Sequence, residues 1–344
     1  MTMRPPMRQR RLRVVFFGTP SFAVPTLSAL IDEPAIEVCL VVTRPDGLAG
    51  RGQRRTRSPV RDRADRSGIE TYQPATLRDA ASRAPLQDCL PDLFVVAAFG
   101  LVFGKKTLAI PRLASVNVHG SLLPAYRGAS PIAAAILSGD TDIGASLMVM
   151  EPGLDTGPVI DRASTRMLPD ATAESLTDVV SLVGAALVER SLIPFADAEI
   201  DAEAQDEQRA TLTRPLCKDD GWIDWNEPAI NLERHVRAMW PWPRAWTTMG
   251  GEPLQIHKSC LVDADPRGSA GNVDVSTGAF DVATGDGVLR LLTVQPASRG
   301  PMSGAAYVAG RGIDPAHGLG AQGAPGKRPP IIVAVTASGG DAPI

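Results

Sequence analysis

Asn117 and His119 stand two residues apart in the run VNVHG, at the end of a short apolar segment. In an extended strand, residues two apart point to the same side, so an amide and an imidazole would share one pocket. That pair suits acyl transfer: the amide donates to the oxyanion of a tetrahedral intermediate, and the imidazole handles protons near neutral pH. Further on, EPGLDTGP at 151–158 carries Asp155 in a Gly-flanked loop. A carboxylate there could orient and charge-stabilise His119 or hold a water. Read singly, each feature has a structural alternative. An isolated Asn-x-His is also a satisfied polar pair at a sheet edge, and Asp in such a loop is also an Asx-turn residue.

The surrounding elements must bring these groups together. LRVVFF at 12–17 ends at Gly18, and helix-like spacing follows over 21–31 with Ser21 as a plausible N-cap. Strand-like runs recur at 36–42 (IEVCLVV), 93–98 (LFVVAAF read to Gly100), 115–119 and 144–150, and helical patterns fall at about 58–68, 76–90, 128–138 and 172–196. Continuous Val, Ile, Leu and Phe strands separated by helices predict a doubly wound α/β domain with a mostly parallel sheet buried on both faces. Ligands of such sheets sit beyond the carboxyl ends of the strands. The segments 18–20, 44–57, 99–101 and 117–123 and the loop after Met150 all fall at that end.

Bulk properties narrow the classes. A chain of 344 residues suggests two domains. The net charge of −3 argues weakly against a polyanion partner, yet charge is segregated: eight arginines against three acids between Arg44 and Arg66, and an acidic stretch from Asp197 to Glu207. The four cysteines are scattered singly, without metal-ligand or disulfide spacing, which fits a reduced cytosol. The basic start has no apolar segment before Gly18, and eighteen apolar residues never run uninterrupted, so the expectation is a cytoplasmic chain, neither exported nor membrane-spanning. GTPSFA lacks the second and third glycines of a dinucleotide fingerprint, which disfavours a nicotinamide or flavin enzyme.

Taken in order, FFGTPSFA, TRPDGLAGRG, VVAAFG, VNVHGSLLPAYRGASPI and MEPGLDTGPVI resemble the folate-dependent formyltransferases over most of 14–160. The resemblance implies a Rossmann-like catalytic domain that uses 10-formyltetrahydrofolate as formyl donor, with no metal. It implies that Asn117, His119 and Asp155 form the catalytic triad of the family. The folate site would be lined by Ser121, Leu122, Leu123 and Pro124 and by Phe99 and Gly100, Phe99 standing where a Tyr is usual.

From about 198 to 218 the hydrophobic pattern lapses, which reads as an exposed linker. Short segments at 221–225, 253–258, 279–283 and 287–294, with a helix near 228–239, then suggest a small β-barrel or meander over 219–312. Within it GWIDW, LERHVRAMWPWPRAW and ATGDGVLRLLTVQPASRGPMSG are similar to the C-terminal, OB-like domain of the methionyl-tRNA branch of that family. That implies initiator tRNA as partner and Arg51 of the 44–57 loop as a tRNA contact; Arg54 and Arg55 of the same basic loop are expected to join it, and the enzyme is expected to be a monomer. Composition agrees for the loop, because Gly- and Arg-rich backbone can approach phosphates closely. Gln53 stands where a Lys is more usual, and from Gln208 onward thirteen basic residues balance thirteen acidic ones, which leaves Arg209, Arg214 and Lys218 as further phosphate candidates. The five tryptophans and the histidines His235 and His257 read as structural. Residues 1–11 and 313–344 are expected to be disordered tails around a catalytic domain over 12–197. The alternatives are a relative that formylates a sugar-nucleotide or glycinamide amine, or a non-catalytic tRNA-binding module.

Overall fold

In the computed structural model, residues 10–49, 54–310, 318–320, 323–326 and 329–335 are described. Along the first part run β1 (Leu12–Gly18), α1 (Val24–Asp32), β2 (Ile36–Val42), β3 (Gly47–Ala49), β4 (Arg54–Thr56), α2 (Pro59–Arg66), β5 (Thr71–Tyr72), α3 (Ala80–Asp88), β6 (Leu93–Ala97) and α4 (Lys105–Leu108). Then come β7 (Ala114–His119), β8 (Arg127–Gly128), α5 (Pro131–Ser138), β9 (Asp142–Val149), β10 (Val159–Arg166) and α6 (Ala173–Ala196). They form one sheet in the order β10-β9-β7-β6-β1-β2-β5, parallel from β7 to β5, with β9 and β10 antiparallel at one edge. This is the doubly wound α/β architecture that the uninterrupted apolar strands predict. The direction of winding reverses between β1 and β6, so the ligand-binding rim lies where β1, β6 and β7 end.

Helix α6 is apolar enough in composition to cross a bilayer, but it is a core helix: it packs on α1, β9 and β10 and buries Val180, Leu187, Val188 and Leu192. Its Gly184 admits β7, since a Cβ there would come within 2.5 Å of Val118. β10 escapes sequence reading because VIDRASTR carries polar residues on a half-exposed strand.

The second part contains β11 (Thr211–Thr213), α7 (Ala229–Ala238), β12 (Ala245–Met249), β13 (Glu252–Val262), β14 (Val273–Asp274), β15 (Asp281–Ala283), β16 (Val288–Pro296), β17 (Met302–Ser303), α8 (Gly304–Gly310) and β18 (Ile332–Ala334). β12 to β17 make the OB-like β-unit, ordered β12-β13-β16-β15-β14 with β17 beside β16. GWIDW is not a regular strand: a 3-10 turn at Lys218–Gly221 leads into single bridging contacts with β12, because Asp219 and Asp220 suit a turn. The domains meet where α7 packs on α5 and where Trp240 Nε1 donates to Glu174 Oε2 at 2.9 Å.

Two expectations about the chain outside the domains are corrected. The 198–218 segment is not a free linker: Glu203 exchanges backbone hydrogen bonds with Val159, and β11 pairs with β8. Part of the carboxyl tail is ordered as well, since β18 pairs antiparallel with β11 and Leu319 is buried against Gly271. IIVA supplies β-branched residues to an edge that would otherwise lack a partner. At the other end Arg10 forms a two-toothed ion pair with buried Asp92 at 2.7–2.9 Å.

Candidate active site

β7 is built so that its two faces differ. Val116 and Val118 are buried, with Val118 against α6, and the alternation of the strand sends Asn117 and His119 to the opposite face. His119 is the last residue of the strand, at the carboxyl rim. The turn DTG brings the third group from β9: Asp155 takes a left-handed φ of 54°, and Gly157 passes so close to Val149 that a Cβ there would sit 1.9 Å from its carbonyl oxygen. A side chain at 157 is therefore excluded.

The three predicted groups converge. Asn117 Nδ2 lies 3.5 Å from Asp155 Oδ1, and His119 Nδ1 lies 3.5 Å from Asp155 Oδ2. Both are at the outer limit for hydrogen bonding, so the amide and the imidazole keep capacity for another partner. The firm contact of the carboxylate is the Gly128 N–H, which donates to Oδ2 at 2.9 Å. On its other side His119 Nε2 lies 2.9 Å from the Tyr126 carbonyl. A carbonyl only accepts, so Nε2 carries a hydrogen, and Nδ1 is the ring atom that faces the carboxylate. The side chain of His119 is 6% exposed and that of Asp155 17%. An imidazolium formed here would have its counter-charge in place with little water between.

The loop from 120 to 130 wraps this pocket. Ser121 Oγ donates to the Ala125 carbonyl at 2.6 Å, Ser146 Oγ receives the Leu123 N–H at 3.0 Å and donates to the Ser121 carbonyl at 2.7 Å, and Arg162 Nε donates to the Leu123 carbonyl at 2.7 Å. The Leu123–Pro124 bond is cis. Tyr126, at φ 59°, is held by a donation from its N–H to Thr211 Oγ1 at 2.8 Å and by its phenol, which donates to Asp140 Oδ2 at 2.9 Å. Burial pushes the Tyr126 phenol up to about 12, so it keeps the proton that it donates.

The other expected site residues fall into three groups. Ser121 and Leu123 are buried, and Leu123 packs with Met148 and Val159, while Leu122 and Pro124 are half-buried. These side chains shape the loop. Phe99 is core: it is 3% exposed and meets Phe17 and Phe103 edge to face at centroid distances of 5.3 and 6.0 Å. The surface there belongs to the backbones of Ala98 and Gly100, exposed at φ 46° and 79°. Main-chain donors and acceptors of that kind fit a flat, amide-bearing ring such as a pterin. The basic loop after β2 is a hairpin, β3 paired with β4, in which Ala49 opposes Arg54 and Leu48 opposes Arg55. Arg51 lies outside the described residues. Arg57 is tied to Asp62 and Asp65, and Arg214 to Asp220 at 2.6 Å and to the Pro329 carbonyl. Arg214 is therefore a structural ion pair rather than a phosphate contact.

Sequence reading missed the supports. Arg127, a single loop arginine in YRG, is 1% exposed, and its guanidinium is held by Glu207 Oε1 at 2.6 Å, Glu207 Oε2 at 2.9 Å and Gln205 Oε1 at 2.9 and 3.1 Å. Bound to this arginine, the Glu207 carboxyl sits below its ordinary range. Gln205, Glu207, Thr211 and Thr213 all lie in a stretch whose polarity reads as solvent exposure. The signal available was the Arg itself, since a buried guanidinium requires a carboxylate partner.

Among the described tryptophans, Trp225 is buried and donates to Thr247 Oγ1 at 3.1 Å, Trp222 and Trp246 pack edge to face, and Arg244 lies over Trp240. Trp242 departs from the structural assignment, being 57% exposed.

Comparison with known proteins agrees with this architecture. The family model described as Formyl transferase matches residues 11–191, and that described as Formyl transferase, C-terminal domain, matches 215–312. A methionyl-tRNA formyltransferase of Chloroflexus aurantiacus is 44% identical over 301 residues, 87% of this chain and 97% of its own length. Another, from Roseiflexus castenholzii, is 44% identical over 296 residues, 86% of this chain and 94% of its own. Among solved structures, the Helicobacter canadensis N-formyltransferase in complex with folinic acid and dTDP-3-aminofucose has a TM-score of 0.62 at 16% identity, covering 83% of this chain and 99% of its own. HypX from Aquifex aeolicus in complex with tetrahydrofolic acid has a TM-score of 0.55 at 15% identity, covering 87% of this chain and 47% of its own. These distant structures share the fold. Because the nearer relatives match through both domains and over almost their whole length, the chain belongs to the methionyl-tRNA formyltransferase family.

Proposed function

We propose that the protein transfers the formyl group of 10-formyltetrahydrofolate to the α-amine of methionine esterified to initiator tRNA, as a cytoplasmic monomer serving translation initiation. The amine attacks the formyl carbon, and the carbonyl π-bond collapses to a tetrahedral oxyanion. Asn117 Nδ2 and the His119 ring act on that oxyanion, the amide as a fixed donor. Asp155 orients His119 and balances its charge while a proton passes from the attacking ammonium toward the departing folate nitrogen, directly or through water. Breakdown of the intermediate expels the folate amine in protonated form and leaves formyl-methionyl-tRNA.

What supports this reading most is one carboxylate within 3.5 Å of both the amide and the imidazole, at the rim where a doubly wound sheet binds ligands. The Ala98–Gly100 backbone and the 121–124 loop flank that rim and would take the pterin. Arg51, Arg54 and Arg55 of the 44–57 segment would take tRNA phosphates, and the OB-like domain would hold the body of the tRNA.

The test is incubation with charged initiator tRNA and 10-formyltetrahydrofolate, with sugar-nucleotide and glycinamide amines offered in parallel, followed by detection of the formylated product. Formyl-methionine from tRNA alone is expected; formylation of a small amine in preference to tRNA overturns the acceptor assignment. Removing an oxyanion donor costs roughly a hundredfold to a thousandfold in rate, so Asn117→Ala should lose that much in single-turnover transfer while still binding the folate.

A further inference from the structure

Asp155 is held at a left-handed φ of 54°, a conformation that L-residues rarely adopt and that its surroundings must hold in place. The side chain is gripped by the Gly128 N–H. The backbone is gripped by Gln205, whose Nε2 donates to the Asp155 carbonyl at 2.8 Å and to the Gly157 carbonyl at 2.7 Å. The orientation of that amide is unambiguous. Its oxygen accepts from Arg127 Nε and Nη2, and a guanidinium can only donate, so the NH2 group must face the two carbonyls. Both donors and both lone pairs of Gln205 are thereby used. Arg127 is in turn fixed by Glu207, and its own carbonyl accepts from Thr213 Oγ1 at 3.0 Å.

We propose that Gln205, in the segment that joins the two domains, is a positioning residue for formyl transfer: it locks the Asp155 turn so that the carboxylate stands between Asn117 and His119. The inference rests on the catalytic reading of Asp155. It makes the interdomain segment a wall of the active site, and it gives the buried Arg127 a purpose, which is to aim the amide.

Gln205→Glu separates this role from packing, because it keeps the acceptor toward Arg127 and replaces the NH2 with an oxygen facing two carbonyls. Gln205→Met fills similar space with neither donor nor acceptor. Displacing a catalytic group by about an ångström can cost about a hundredfold, so kcat should fall roughly ten- to a hundredfold in both variants. KM for 10-formyltetrahydrofolate and for charged tRNA should stay near wild type, measured well below the unfolding midpoint. Wild-type kcat in Gln205→Glu and Gln205→Met overturns the proposal, as does a loss of kcat that only tracks a lowered unfolding midpoint and disappears on cooling. Asp155→Asn assayed alongside distinguishes the two levels. If it is crippled while the Gln205 variants are normal, the positioning role alone fails; if it too is normal, the catalytic reading fails and the proposal with it.

Discussion

Asn117, His119 and Asp155 need little from one another in the resting site, and that is what leaves them free to act. Their separations of 3.5 Å contrast with the contacts of 2.6–3.1 Å that bind Arg127 to Gln205 and Glu207. The tightly made interactions of Asp155 and His119 are with the loop backbone, and those of Arg127 lie behind them. This sets the expected outcome for Arg127→Lys, which preserves charge but not the planar fork that reaches two partners at once. An ammonium can satisfy Glu207 or Gln205, leaving the other unpaired, and hydrogen bonds to charged groups contribute about 1.5–3 kcal/mol each. Urea denaturation should show a loss of that order, and an unchanged midpoint would mean that the bidentate geometry contributes little. Asn117 and His119 were legible as a pair on one face from their spacing, whereas Asp155 joined them only through the resemblance of the ordered motifs. Arg127 was not, because nothing in the string YRG distinguishes a buried guanidinium from a solvated one.

Among the elements, the parallel strands and their helices were readable from periodicity, and the strand β11 was not. Three residues, TLT, surrounded by charge carry no pattern of their own; β11 exists because β8 and β18 give its backbone partners. Its fit is close. Gly128 has φ 100°, and a Cβ on it would stand 2.3 Å from the Thr213 carbonyl oxygen. Gly128→Ala should therefore push β11 outward, with about 2 kcal/mol or more of lost stability from the backbone strain and clash together, and slow transfer should accompany it since the Gly128 N–H holds Asp155. Hydrogen exchange at 211–213 reports the shift; unaltered protection there with full activity would contradict it. Helix α7 offers a different test. His235 is half-buried, with its Nε2 atom shut away from solvent and without a hydrogen-bond partner, and desolvation depresses its pKa against the opposing pull of the Gly221 carbonyl and the Asp220 charge. A base whose folded pKa lies below its unfolded value is neutral when folded. Its contribution to stability is intact above the ordinary 6.5 and is lost as pH falls from there toward the depressed value. The unfolding midpoint should drop on acidification through that window, and His235→Leu should flatten this part of the profile; equal slopes in both proteins would count against the assignment.

At the scale of the whole molecule, the two domains and the segments around them act as one body. α5 and α7 are interlocked, with Gly139 passing so near Arg234 that a Cβ would meet its guanidinium, and Arg237 Nη1 donates to the Ala171 carbonyl at 2.9 Å. Two-domain organisation was readable from the lapse in periodicity at 198–218, but not that this polar stretch packs against Arg127 and the Asp155 turn, since polarity reports the absence of a core and not the presence of partners. The family match ends at residue 312, whereas this chain continues to β18, whose backbone completes the sheet of β8 and β11, with Val335 N donating to the Ala210 carbonyl at 3.1 Å. Truncation after residue 326 should leave both domains folded but loosen β11, lowering kcat several-fold; a truncated enzyme with undiminished kcat would show the strand to be dispensable.

The small sheet β8, β11, β18 draws its strands from residues near 127, 212 and 333, so its last member is synthesised long after the first two. Domains generally fold as they leave the ribosome, amino-terminal parts first. Both globular units can thus acquire their shape during translation, while the edge of this small sheet closes only after the residues near 333 have emerged. In this protein the sheet that joins the earliest and the latest of these strands is the last to be completed.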